Sequence, residues 1–539
     1  MLELNLKIMR RSFSVAFATF LLTSTMFAGG ILHNTNQSAM YTRMPARDAT
    51  LGIDAVYYNP AGLTKLADGF HFSINNQFIG QTRTVTSDYQ YLNDPKYLGD
   101  VTAPLFPGIY AVYKTGNWAF SAGFNPIGGG GGATYSRGLP SFEMPISDLP
   151  PALSSQGQNV TAYRMNAFFE GTSVFFGFQA NVSYAINDMI SVAIGGRYVT
   201  ANETYNGYLT DIELEVDEVW IPAPTLFANI AQSLTQYASG MDLYASALQP
   251  AIDGGLGDAT LSDPLLVGTL TALGLYQDGM TNAQAQATFN GASASFTQQS
   301  AETAAKGQLM NDQNVEAEKE GSGFTPIISV NIQPNDMLNF SVKYEHTTKL
   351  ELTNRTTSDV ITGIDPGTGN PITMFPDGAK SRLDLPAMLS IGATVRPTEP
   401  LLLSTGFHYF FDKNADWGGR QEKLSANSWE LGIAAEYALT EQFFLSGGWI
   451  MTSVGGTDEY QTDLSYTLPT LNGWSFGVGW DFMPNIQVNV GGQYVLYQAG
   501  DRNFSHDFAS SGLMVPVTET LEKSNWVIGA GVNFSLGGN

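Results

Sequence analysis

Residues 468–497 read LPTLNGWSFGVGWDFMPNIQVNVGGQYVLY, and the order of residue types in that stretch decides the architecture. Within it, Ile486, Val488, Val490, Tyr494 and Leu496 fall on one face of an extended strand. Gln487, Asn489 and Gln493 fall on the other, the period of two that strand geometry imposes. The 482–485 segment carries Pro and Asn, residues that set turn dihedrals, so the stretch is a hairpin. The alternation returns at 338–345, where Leu338, Phe340, Val342 and Tyr344 oppose Asn339, Ser341, Lys343 and Glu345. At 526–536 the residues Trp526, Ile528, Ala530, Val532, Phe534 and Leu536 alternate with Gly529, Gly531, Asn533 and Ser535.

Outward from these hairpins, the breaks are of two kinds. Tight turns are predicted at 114–117, 186–189, 333–336, 396–399, 439–441 and 482–485. Long polar connections are predicted near 83–104, 127–168, 205–322, 353–383, 414–426, 454–470 and 500–521. A soluble sandwich alternates too, but it does not separate short turns from long loops in this way. The pattern predicts an all-β, transmembrane antiparallel barrel of about 14 strands, an even number as such barrels have. A chain of 539 residues would otherwise suggest several domains, yet no linker interrupts the hairpins.

Composition agrees. Charged residues form 14% of the chain, low for a soluble protein, and mean hydropathy is close to zero. The net charge of −24 excludes the basic footprint of nucleic-acid binding. It fits solvated loops, or loops meeting lipopolysaccharide through divalent cations. With no cysteine there is neither a disulfide framework nor a thiolate metal site. Lys7, Arg10 and Arg11 precede an apolar run over 13–22 and then Ala28, which predicts a signal peptide over 1–28 and an outer-membrane location.

The 205–322 connection is too long to be structureless. Phe227, Ile230, Leu234, Tyr237, Met241 and Tyr244 recur at three- and four-residue steps, an amphipathic helix. Ser262-Asp263-Pro264 predicts a second helix start, and 282–306 a third helix. The apolar face either packs on neighbouring loops or forms a groove for apolar ligands. The five histidines, at 33, 71, 346, 408 and 506, show no metal-ligand spacing and no nucleophile motif. No enzyme activity, metal or cofactor is expected.

Residues 29–68 precede the first strand and read as a plug centred on Asn59-Pro60-Ala61. Inside a barrel, Arg43, Arg47 and Asp48 would need charged partners, expected to be luminal Glu or Asp for the arginines. Tyr57 and Tyr58 are expected to pack on the inner wall. Arg197 and Lys413, on predicted strands, are either luminal ion pairs or holders of a ligand carboxylate. Pro126 followed by Gly128, Gly129 and the glycines to 132 either bends the third strand or opens the next loop. Asp211, Glu213, Glu215 and Asp217 share one face of an extended strand, either a solvated edge or a cation site.

The plug with Asn59-Pro60-Ala61-Gly62-Leu63, the strand count and the long helical third loop resemble the FadL-type outer-membrane transporters of long-chain fatty acids and other hydrophobic compounds. Toluene transporters belong to the same family. The units GFTPIISVNIQPNDMLNFSVKYEH and LPAMLSIGATVRPTEPLLLSTGFHYFFD carry the same strand–turn–strand rhythm. The resemblance implies a hatch over 29–68 inside a barrel over 69–539. It implies an apolar external groove (here Phe227, Ile230 and Leu234) and an internal pocket reached by Gly29, Gly30, Ile31 and Leu32. It also implies a side exit at a kink in the third strand, next to Asn59-Pro60-Ala61. The family's basic headgroup residues align with neither Arg197 nor Lys413, which keeps neutral ligands open. The expected function is passive uptake of long-chain fatty acids or similar hydrophobic molecules by a monomer surrounded by outer-membrane lipid and lipopolysaccharide. The alternatives are a transporter of neutral aromatic hydrocarbons by the same route, a general diffusion porin, and an adhesin or lipase barrel.

Overall fold

In a computed structural model, residues 34–365, 368 and 370–537 are described. The expected signal segment and Gly29, Gly30, Ile31 and Leu32 lie outside the described residues. The alternating segments form fourteen antiparallel strands that close on themselves. They are β1 (Gly69–Ser87), β2 (Lys96–Thr115), β3 (Trp118–Tyr135), β4 (Val160–Ala185), β5 (Ile190–Val216) and β6 (Gln313–Asn335). Then come β7 (Leu338–Glu345, resuming as Glu351–Ser358), β8 (Met388–Thr398), β9 (Leu401–Phe410) and β10 (Trp429–Ala438). The last four are β11 (Phe443–Ser453), β12 (Thr470–Met483), β13 (Ile486–Tyr497) and β14 (Leu513–Leu536). Closure is made by β1 against β14, from Phe70 opposite Leu536 to Ser87 opposite Glu519.

The wall is inverted relative to a soluble protein. On β1, Phe70, Ile74 and Phe78 are exposed while His71, Ser73, Asn75 and Gln77 are buried, and β14 exposes Leu536, Val532, Ile528 and Trp526. An apolar belt of this extent cannot face water. It ends at Phe78 and Trp526, whose rings stack 5.4 Å apart; beyond them the outward residues Thr82, Ser524 and Glu522 are polar. The belt on β1 thus covers 70–78, close to the roughly 9–11 residues that a tilted strand needs to cross a bilayer. Among the described residues no helix is long and apolar enough to cross one.

The six predicted tight turns join β2 to β3, β4 to β5, β6 to β7, β8 to β9, β10 to β11 and β12 to β13. The predicted long loops are shorter than expected, because strands continue past the belt. The 83–104 loop shrinks to 88–95, and 500–521 holds the strand Gly500–Phe508, paired with β14. Outside the belt neither face must be apolar, so the alternation that marks a strand fades while the backbone pairing persists.

The hatch runs inside the barrel as α1 (Ala39–Arg43), α2 (Ala55–Tyr58) and a 3-10 turn (Pro60–Lys65). Ser38 caps α1 by accepting from the Tyr41 amide. The polar inward wall satisfies its backbone: Asn75 Oδ1 accepts from the Ala39 amide at 2.7 Å, and Asn339 Nδ2 donates to the Ala49 carbonyl at 2.9 Å. Lys343 Nζ donates to the Tyr57 carbonyl at 2.8 Å. Glycines let hatch and wall backbones touch. A Cβ on Gly392 would lie 2.5 Å from the Ala49 nitrogen, and one on Gly491 2.6 Å from that of Arg43. Tyr41, Val56, Tyr57, Tyr58 and Leu63 fill the remaining space against Tyr110, Ile127, Phe175 and Val199 of the wall.

Outside the barrel, the β5–β6 connection folds into α5 (Ala223–Ala251), α6 (Pro264–Leu273) and α7 (Asn282–Leu309), after the short α3 (Pro140–Ser147) and α4 (Leu149–Ser155) that follow β3. Asp263 caps α6, as Ser262-Asp263-Pro264 predicts, and Thr281 with Gln284 forms a capping box on α7.

Candidate functional site: external cavity, hatch and wall gap

Three features line up from outside to wall. The first is a cavity of about 410 Å³ between α3, α4, α5 and α7, lined by Phe142, Leu153, Phe169, Phe227, Ile230 and Leu309. Its volume and apolar lining are those of a small-ligand site. Lys306 stands at its edge, its ammonium pushed below the usual lysine value by burial. Phe227 and Ile230 thus reach the groove as the resemblance implied; Leu234 does not, being buried further along α5, where Tyr237 and Phe296 bring that helix against α7. Phe169 also belongs to the cluster of Tyr135, Tyr205, Phe375 and Leu464, which floors the cavity; Tyr205 and Phe375 stack at 4.7 Å.

The second is the hatch. Asn59 is fully buried, donating to Asn331 Oδ1 at 2.7 Å and to the Thr50 carbonyl at 3.1 Å. The Ala61 amide donates to Ser329 Oγ at 2.9 Å, and Ser183 donates to the Pro60 carbonyl at 2.7 Å. Asn59-Pro60-Ala61 is therefore bonded to β4 and β6, and the turn it opens also lies against β3. The hatch is bonded to β2 and β3 through Gln37, which takes Asn125 Nδ2 at 2.6 Å and Tyr110 Oη at 2.7 Å. Nothing in the sequence around Gln37 signals this.

The charged hatch residues are all engaged. Arg43 pairs with luminal Glu436 and donates to Asn489 Oδ1 at 3.0 Å. Arg47, expected to pair with the wall, forks onto Asp54 of the hatch itself at 2.8 and 2.9 Å, because the turn between the two brings the carboxylate under the guanidinium. Asp48 accepts from His408 Nε2 at 2.6 Å, while His408 Nδ1 meets Glu430 at 2.9 Å. Arg197 is a luminal ion pair: it forks onto Glu345 at 2.6 and 3.0 Å and lies 4.8 Å over the Tyr57 ring. Lys413 is not on a strand. It sits in the exposed turn Asp412–Asn414 beyond β9, with Nζ donating to the Leu424 carbonyl at 2.8 Å; the strand's alternation ends at Phe410.

The third is a gap in the wall. β2 pairs with β3 from Gly99 to Val101 and again from Ile109 onward, and over 102–108 the two strands have no partner in each other. Toward β4, β3 is bulged between Pro126 and Gly128 and between Gly129 and Gly131. Gly129 has φ +86°, and any Cβ there would strike the Ser173 carbonyl. The signal that sequence reading missed is on the other strand: Pro104 and Pro107 of β2 cannot donate to a ladder either. Ile127, the unpaired residue of the first bulge, packs on the hatch cluster, and Leu105 stands 77% exposed.

Elsewhere, three carboxylates of 211–217 bond across to β4, Asp211 to Asn166, Glu213 to Arg164 and Glu215 to Thr161, and Asp217 bonds to Asn159 just before that strand.

No family model and no curated protein matches the chain. Among solved structures, a FadL homologue of Pseudomonas aeruginosa superposes with a TM-score of 0.58 over 94% of this chain and 99% of that one, at 13% identity. The chain has the FadL-type fold. The toluene transporter TodX of Pseudomonas putida superposes on this FadL-type barrel with a TM-score of 0.50 over 94% of the chain and 99% of TodX, at 12% identity.

Proposed function

We propose that this protein is an outer-membrane channel for passive uptake of small hydrophobic molecules, without a catalytic step, long-chain fatty acids being the first class. Ligand would enter the external cavity, pass beside the hatch and leave sideways through the wall between β2 and β3. The observation that carries this reading is that β2 keeps its pairing to β1 over 102–108 but has no partner there on β3, a break in the wall of a barrel whose axis is filled by the hatch. An acyl chain gains roughly 0.8 kcal/mol per methylene on leaving water, so a route that ends in lipid favours it where an aqueous pore does not. The full engagement of Arg197 and Lys413, the two cations singled out in the sequence, supports a second reading in which the ligand is a neutral aromatic hydrocarbon. A diffusion porin is disfavoured by the filled lumen.

Proteoliposome uptake of labelled oleate, toluene and a small sugar tests the proposal. Oleate or toluene should enter faster than into empty liposomes, and the sugar should not. Sugar flux without uptake of either hydrophobic probe would overturn it.

A further inference from the structure

One polar side chain interrupts the apolar belt of β1. The outward residues of that strand run Phe70, Phe72, Ile74, Asn76 and Phe78, and the outward residues of neighbouring β14, from Trp526 to Leu536, are apolar. An amide facing lipid is costly unless both of its ends are bonded. In Asn76 both are: Oδ1 accepts from the Phe106 amide at 2.9 Å, and Nδ2 donates to the Pro104 carbonyl at 3.1 Å. Gln77 stands opposite Phe106 and Ile79 opposite Ala103, so β2 carries one residue more than β1 between those pairs. That is a bulge at Pro104 and Leu105, and the Asn76 amide spans it.

The bulge lies inside the 102–108 stretch that has no partner on β3. Pro104 and Pro107 have no amide to donate, and Asn76 itself stands opposite Pro107. The side chain thus supplies bonds that the ladder lacks there. Asn75, on the luminal face, holds the far end of the same stretch, its Nδ2 donating to the Gly108 carbonyl at 2.8 Å. Two consecutive residues of β1 therefore pin β2 from both faces. Without the Asn76 amide, the Phe106 N–H and the Pro104 carbonyl would be bare at membrane depth, where such groups must find a protein partner. Across the gap, β3 is the strand left unpaired on that side, and bonding to it would draw the wall shut.

We infer that Asn76 is a positioning residue of the side exit: from the lipid face it holds the β2 lip in place and keeps the gap between β2 and β3 from zipping. It acts through the backbone of β2 and touches no ligand. This rests on the reading of sideways release and adds to it the residue that sets the width of the opening.

The test uses the full-length protein in proteoliposomes, with labelled oleate and toluene as probes, and compares Asn76→Leu with Asn76→Gln. Leucine suits the belt but carries no amide, whereas glutamine keeps the amide on a longer stem. Uptake should fall several-fold in Asn76→Leu and be largely retained in Asn76→Gln, with the unfolding temperature of the barrel unchanged in both. A loss of uptake that only tracks a lower unfolding temperature would make Asn76 a stabilising contact and overturn the inference. The gap itself is read with spin labels on Leu105→Cys and Phe178→Cys, two exposed positions in a chain that has no other thiol. Phe178 lies on β4 and pairs with Phe124 of β3, so the distance between the labels should shorten in Asn76→Leu as β2 moves onto β3. Unchanged distance and unchanged uptake in that variant overturn the role of Asn76 and leave sideways release standing. A shortened distance with undiminished uptake overturns sideways release, and this role with it. Failure of the native protein to admit either probe overturns the uptake reading itself.

Discussion

At the scale of single residues, charge is handled in opposite ways at different heights of the barrel. In the lumen, buried charges meet a counter-charge within 3 Å, as Arg47 meets Asp54 and Arg197 meets Glu345. Seven residues past Trp526, outside the belt, Glu519 is treated differently. Its carboxyl is fully buried, and burial together with nearby Asp463 pushes it up to about 8 despite Arg502 at 2.9 Å. The native state therefore holds the proton more tightly than the unfolded chain, whose glutamate titrates near 4.5. Stability that is fully present below that value is lost as pH rises through about 8. Amide protection factors of the 500–522 hairpin, with the intrinsic rise of exchange with pH divided out, should fall between about pH 6 and 9, and Glu519→Gln should flatten that fall. An unchanged pH dependence in that variant would remove Glu519 from the account.

At the scale of elements, the third strand carries the sharpest test. Gly129→Ala imposes about 1–2 kcal/mol for a side chain at positive φ and, in addition, a clash with the Ser173 carbonyl. β3 must then shift its bulges, and uptake should fall several-fold while the barrel stays closed. Gly116→Ala is the control: its φ is also positive, at +52°, but the space around it is open, so uptake should stay as it was. Equal effects of the two would mean that the kink plays no part. Strands inside the belt were legible in the sequence because lipid and lumen impose the strict alternation seen in 338–345 and 486–496. The six tight turns and the caps at Asp263 and Thr281 were legible for equally local reasons. The strand extensions above the belt were not, since their outward face meets water instead of lipid and turns polar, which removes the alternation. The partners of Arg47 and Asn59 were also hidden, because they depend on how the hatch is rotated in the lumen. No period along the chain encodes that angle.

For the whole molecule, hatch and wall are moulded to one another. Gly491 admits the Arg43 backbone so closely that Gly491→Val should lift the hatch from its seat. Proteoliposomes carrying that variant should pass the small sugar that the native protein excludes, and a tight variant would mean that the seat can yield. The closing seam adds a consequence for how the molecule is made. His71 and Ser535, which are bonded at 2.8 Å, lie 464 positions apart in the chain. Contacts of such high order form slowly. Until they form, β1 and β14 are two long unpaired edges open to wrong partners. The hatch precedes β1 and fits against glycines that leave no slack, so it has to be in place before the seam zips. Assembly order, as much as final stability, then decides whether a given copy is sealed.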